Sequence, residues 1–206
     1  RLNPRAGGAE IHLHEVFGRL AARHEVTLLV SGFAGAPERA TIDGMRVHRT
    51  GQRYTYNLHA PHYYRSRLRN PGFDVFVEDL NKVPLFAPLW VREPTVLLVH
   101  HLFGTVAFRE ASLPLATATW LLEKPIPRVY RKLPTMAVSR STADDLARRG
   151  FDRDRIDVIP NGVNLDFYQP AAGGARFPEP TLLYLGRLKK YKRIDLIIEA
   201  FARVRT

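Results

Sequence analysis

The 206-residue sequence has no cysteine. Disulfides, thiolate catalysis and cysteine-based zinc sites are therefore excluded. No apolar run reaches the ~18 residues that mark a membrane-spanning helix. No short-period repeat and no secretory signal pattern is visible, although the first residue is Arg1 and not Met. Acids are the minority charge, 20 Asp+Glu against 31 Lys+Arg, which leaves a net charge of +11. Such a surface attracts polyanions: nucleic acid, acidic lipid or nucleotide phosphates. Most of the cations are arginine, a residue whose surface abundance also follows genome composition, so charge alone does not choose among these partners.

What is present is an alternation. Short apolar runs at residues 25–30, 45–48, 74–77, 95–100, 135–138, 156–159 and 181–185 read as strands. Most are nearly continuous in apolar residues, as strands buried on both faces are. Helical patterns lie between them. Leu13, Val16, Phe17 and Leu20 share one face of a helix over residues 9–23. Ser141-Thr142-Ala143-Asp144 resembles a capping box that opens a second helix, which Gly150 ends. Ile194, Ile197, Ile198 and Phe201 form a last apolar stripe. Repeated strand–helix alternation predicts an α/β fold, a parallel sheet with helices on both faces. The Pro-, Gly- and Ala-rich stretch 169–180 reads as a linker. It separates the α/β unit from a strand–turn–helix at 181–206. The glycine-rich loop at the start has no strand before it, although such a loop normally follows one.

Several residues carry chemistry by type and place. Gly7 and Gly8 precede the first helix, where small residues admit a ligand and the free N–H groups of the first turn favour an anion; an ordinary glycine-capped turn is the plain alternative. Gly186, Arg187 and Lys192 flank a second strand–helix turn. Arg187 offers a planar fork for phosphate oxygens and Lys192 a point charge, whereas Lys189, Lys190 and Arg193 read as solvated cations. His100 and His101 end the run 95–100 at the carboxyl edge, where parallel sheets place their ligands. Successive strand residues point to opposite faces, so at most one of the two faces the site, and His100, which continues the strand, is the expected one. Glu78 and Asp79 lie at the same edge, either as sugar-hydroxyl acceptors or as partners of a neighbouring arginine. No carboxylate–histidine spacing suggests a metal. Asn161-Gly162 reads as a turn or a pivot between domains. The segments 54–69 and 120–132 interleave aromatic and basic residues. They suit an anionic membrane surface or single-stranded nucleic acid, or more plainly a helix with a buried aromatic face and snorkelling cations.

Taken in order, four motifs resemble glycosyltransferase family 4, a group of GT-B enzymes: Gly7-Gly8-Ala9-Glu10; Val138-Ser139 through Asp145-Leu146; Val158-Ile159-Pro160-Asn161-Gly162-Val163-Asn164 with Phe167 and Pro170; and Leu185-Gly186-Arg187 through Asp195. The resemblance covers essentially the whole chain. It implies two Rossmann-like domains across a cleft: an acceptor-side domain over residues 1–170 lacking its first strand, a linker at 171–180, and the start of a nucleotide-sugar-binding domain at 181–206. It implies a retaining hexosyl transfer from a nucleotide-diphosphate sugar to a glycan or lipid-linked acceptor, with no metal or other cofactor and no nucleic acid. Arg187 and Lys192 would hold the donor diphosphate and stabilise leaving-group charge. Gly186 would shape that turn, and Gly7 and Gly8 would meet the same diphosphate on closure. His100 matches the strand-end histidine near the transferred sugar. A cytoplasmic location, peripheral on the inner face of an anionic membrane, goes with this reading. Two departures stand out. Arg193 occupies a position where the family usually has glycine, and the family's paired glutamates of the second domain lie beyond Thr206, so the 206-residue chain is expected to be inactive alone. A nucleotide-sugar epimerase of the same fold and a basic nucleic-acid-binding module are the alternatives. The second predicts a steep salt dependence of oligonucleotide binding.

Overall fold

The computed structural model of the chain describes residues 7–70, 72–80, 83–110, 112–170, 177–186, 188 and 192–204. Among these residues, seven strands, three of them consecutive, are interspersed with helices through residue 158. The strands are β1 (Thr27–Ser31), β2 (Arg39–Ile42), β3 (Met45–Thr50), β4 (Phe76–Leu80), β5 (Thr95–Val99), β6 (Thr135–Ala137) and β7 (Ile156–Val158). The α-helices are α1 (Gly8–Leu20), α2 (Tyr56–Tyr63), α3 (Ala107–Glu110), α4 (Leu113–Glu123), α5 (Ile126–Tyr130), α6 (Arg140–Arg148) and α7 (Ile194–Val204).

The principal sheet is four-stranded and wholly parallel, in the order β4-β5-β6-β7. Leu97, Leu98 and Val99 of β5 are all buried. Consecutive strand residues point to opposite faces, so this strand is covered on both sides. Leu80, Leu97, Val99 and Ala137 pack with Ile126 and Tyr130 of α5, Ala143 and Leu146 of α6, and Phe151. The expected α/β, Rossmann-like class is therefore what the chain adopts.

Sequence periodicity missed a second sheet, in the order β1-β3-β2. β1 runs parallel to β3, but β2 is antiparallel to it, so the all-parallel expectation fails here. The β2–β3 hairpin turns on Asp43 and Gly44, both at positive φ (46° and 79°). That is the geometry a two-residue Asp-Gly connection favours, because its twist matches the strands.

Three further expectations are corrected. Glu78 and Asp79 lie inside β4, not beyond it, because β4 starts at Phe76, in register with Thr95. The N-cap of α6 is Ser139, not Ser141: Ser139 is extended, and its Oγ accepts a 3.1 Å hydrogen bond from the Thr142 N–H. Gly150, at φ 95°, does follow the end of this helix. Ser139→Ala is expected to cost about 1 kcal/mol, read as a lower thermal midpoint, with Ser141→Ala close to neutral. Residues 181–185 form no strand. A strand needs a neighbour to satisfy its backbone, none pairs with them among the described residues, and Leu185 is 91% exposed. Of the linker expected at 171–180, residues 171–176 lie outside the described residues.

The aromatic–basic segment 54–69 follows the plainer reading. It forms α2 and a π-helical turn over Tyr64–Leu68. Tyr63, Tyr64 and Leu68 are buried, while Arg65, Arg67 and Arg69 face water.

Candidate active site

The carboxyl edge of the principal sheet places Asp79 of β4 beside the residue that follows β5. His100 is 9% exposed, and its Nε2 lies 3.0 Å from Asp79 Oδ1. That approach is close enough for an ion pair but falls outside hydrogen-bond angles, so both atoms keep unused hydrogen-bonding capacity. Helix α1 brings a third group. The His12 ring meets His100 edge to face, centroids 5.2 Å apart, and His12 Nδ1 is likewise buried without a hydrogen-bond partner. Burial, and then the neighbouring His100, hold the His12 imidazole below its ordinary range; Asp79 opposes them.

α1 also carries the glycines. Gly7 is the extended N-cap, and its N–H donates to Glu10 Oε2 at 2.9 Å. That bond is the glutamate half of a capping box; as glycine, the N-cap supplies no side-chain oxygen of its own to the first-turn amides. Gly8 is not at positive φ, and a Cβ built on it meets nothing within 4 Å. Neither backbone conformation nor packing within the described residues demands glycine there, so the open space is available to a ligand. His12 is four residues on, hence on the same helix face, and helical side chains lean toward the N-terminus. The glycine turn and the His12–Asp79–His100 group therefore adjoin. His12 carried no motif; its i,i+4 relation to Gly8 is the sequence signal that would have found it.

Two buried glutamates hold this edge in shape. Glu78 accepts hydrogen bonds from Leu85 N (2.7 Å), Ala87 N (3.0 Å) and the Tyr130 hydroxyl (2.8 Å). Burial raises its pKa, against the lowering effect of those donors. Glu123, 3% exposed, accepts from Phe103 N (2.7 Å) and Gly104 N (2.8 Å), which fixes the loop after His100. Thr142 Oγ1 donates to the His100 carbonyl at 3.0 Å. His101 turns away, its ring against Phe103, beside a shallow depression lined by Ser141, Thr142 and Asp145. At about 190 Å³ that depression is smaller than the ~300–1,000 Å³ of ordinary ligand pockets. The unsatisfied polar atoms at His12, Asp79 and His100 mark the better candidate.

The second anion loop is described only in part. Arg187 lies outside the described residues. Gly186 and Lys192 are exposed. A Cβ at Gly186 would meet only the far end of the Tyr184 side chain, 2.9 Å away, so glycine is not compelled there either. Arg193 sits at φ 47°, a left-handed conformation that explains why glycine suits this position, and it pairs with Asp195 at 2.9 Å. Among the described residues no group of three His, Cys, Asp or Glu side chains is arranged to hold a metal ion.

A parallel α/β sheet with polar groups gathered at its carboxyl edge, beside a glycine-started helix, defines a Rossmann-like ligand-binding domain. The profile of Glycosyltransferase Family 4 matches residues 6–167, and the chain belongs to that family. It is similar to a D-inositol 3-phosphate glycosyltransferase of Nocardia farcinica, 40% identical over 60 residues, covering 26% of this chain and 13% of that protein. A protein of the same name from Xylanimonas cellulosilytica is 33% identical over 79 residues, 32% of this chain and 19% of its own length. The matched stretches thus span less than a fifth of either relative.

Proposed function

We propose that this chain is part of a glycosyltransferase that moves a hexose from a nucleotide-diphosphate sugar to a glycan or lipid-linked acceptor, with retention of anomeric configuration and without a metal. The observation that carries the reading is the meeting of a glycine-started helix, whose Gly8 leaves open space, with the buried His100–Asp79 pair and His12, where three buried polar atoms make no hydrogen bond. A helix N-terminus favours a diphosphate, and the imidazoles and carboxylate beside it offer donors and acceptors for sugar hydroxyls. On this reading Arg187 and Lys192 bind the same diphosphate from the second domain and stabilise the charge left on it at transfer. The relatives' names make inositol phosphate a second acceptor to include in any screen.

Calorimetry of the full-length protein with nucleotide-diphosphate sugars tests the reading. Binding is expected, and Arg187→Ala with Lys192→Ala is expected to remove it; undiminished binding in that double variant would sink the assignment. Gly8→Ala is the sharper probe. Its methyl meets no described atom, so the melting temperature is expected to hold, while donor affinity falls about tenfold or more because the diphosphate loses its close approach to the helix. Product analysis without acceptor separates transfer from epimerisation.

A further inference from the structure

Helix α4 is inside out. Its single charged residue, Glu123, points inward, 3% exposed, onto the Phe103 and Gly104 amides. Its leucines point outward: Leu113 is 71% exposed, Leu121 51%, and Leu115 and Leu122 are exposed as well. Phe108 of the adjoining α3 is also exposed. Contiguous apolar surface of this kind marks a place where something docks. α6 shows the ordinary arrangement on the same sheet, with Ala143 and Leu146 buried and its charges outside.

The charges around α4 choose the occupant. Among the described side chains of residues 107–132, every exposed charge is a cation: Arg109, Lys124, Arg128, Arg131 and Lys132. The Lys124 ammonium lies 3.7 Å from the Trp120 ring centroid, so an aromatic and a cation sit together at the end of the helix. A second copy of a chain with net charge +11 would bring like charges together. Nucleic acid would leave the leucines unsatisfied. Apolar side chains flanked by cations suit the boundary between acyl chains and anionic headgroups. No described helix is long and apolar enough to cross a membrane. We infer that α4 lies in the surface of an anionic lipid bilayer, with its leucines among the acyl chains and Lys124, Arg128, Arg131 and Lys132 on the headgroups.

The inference does not depend on the donor or the reaction, and its test uses neither. Full-length protein is floated with phosphatidylglycerol–phosphatidylcholine vesicles and with phosphatidylcholine vesicles. Floating with the first, much less with the second, and less again in high salt is the expected result. The variant Leu113→Gln, Leu121→Gln, Leu122→Gln is expected to partition about tenfold or more weakly, with an unchanged melting temperature. Absence of vesicle binding, or equal binding by the variant, overturns the inference. A large fall in the variant's melting temperature overturns it too, because another part of the chain would then cover the face. So does a concentration-dependent dimer that the variant abolishes, because a second copy would then be the occupant.

Discussion

Glu78→Ala is expected to remove about 3–5 kcal/mol of stability, the cost typical of breaking a buried, fully engaged charged group. The carboxylate is 2% exposed and receives the Leu85 and Ala87 amides and the Tyr130 hydroxyl. Tyr130 in turn accepts from Phe86 N at 2.6 Å, so one side chain on β4 organises three successive backbone amides and anchors α5. Alanine would leave these donors in the core without an acceptor, at roughly 1–3 kcal/mol for each that finds no water. Against a typical total of about 5–15 kcal/mol, the loss is a large share of the whole. Urea denaturation followed by circular dichroism measures it. Tyr130→Phe is expected to cost less, about 1–2 kcal/mol, because the carboxylate keeps both of its backbone donors. A Glu78→Ala variant within 1 kcal/mol of the parent would refute the role of this network. The pH dependence has a definite sign. Burial raises the folded-state pKa of Glu78, so between its unfolded value and that raised value the folded protein holds the extra proton. Its contribution is thus fully present at low pH and declines as pH rises through the folded pKa. His12 acts oppositely. Its lowered pKa makes the unfolded chain the better proton acceptor below about 6.5, so acid erodes stability there.

The contrast between Glu78 and Asp79 shows where sequence reading reached its limit. The apolar runs at 95–100 and 135–138 were legible because burial on both faces leaves a continuous apolar signature, and 156–159 was legible from its composition although β7 is an exposed edge strand. The carboxyl edge of the sheet, and with it His100, followed from strand direction alone. Neighbouring acids, however, look identical in sequence. Alternation along β4 sends Glu78 to the core and Asp79 to His100, and only packing reveals which is which. Glu123 was invisible for a similar reason, since a lone acid in an apolar helix is ordinarily its solvent face. β2 had a signal that went unused, the Asp43-Gly44 pair beside a β-branched run. Residues 181–185 show the reverse failure. Their composition favours a strand, but composition supplies no partner to pair with.

In the full-length protein, on the proposed glycosyl transfer, His100→Ala is expected to lower the turnover number about 10²–10³-fold, the usual loss on deleting one preorganised polar contact to a reacting centre. The prediction rests on the proposed glycosyl transfer and on a separation that the structure makes between backbone and side chain. The loop after β5 is held through main-chain atoms: the His100 carbonyl by Thr142 Oγ1, and the Phe103 and Gly104 amides by Glu123. None of these bonds uses the imidazole. Its removal therefore leaves the loop anchored and the melting temperature close to the parent's, while the site loses the ring that joins Asp79 to His12. Asp79→Asn tests the other side of the contact. An amide keeps the shape but not the charge beside His100, so a smaller loss, about tenfold, is expected. A donor KM that rises in step with a preserved turnover number would make His100 a binding contact that acts equally in ground and transition states. Full activity in His100→Ala would show that the His12–Asp79–His100 group at this edge serves some other ligand. A loss of fold in place of activity would show that the imidazole, and not the Thr142 and Glu123 bonds, holds the edge together.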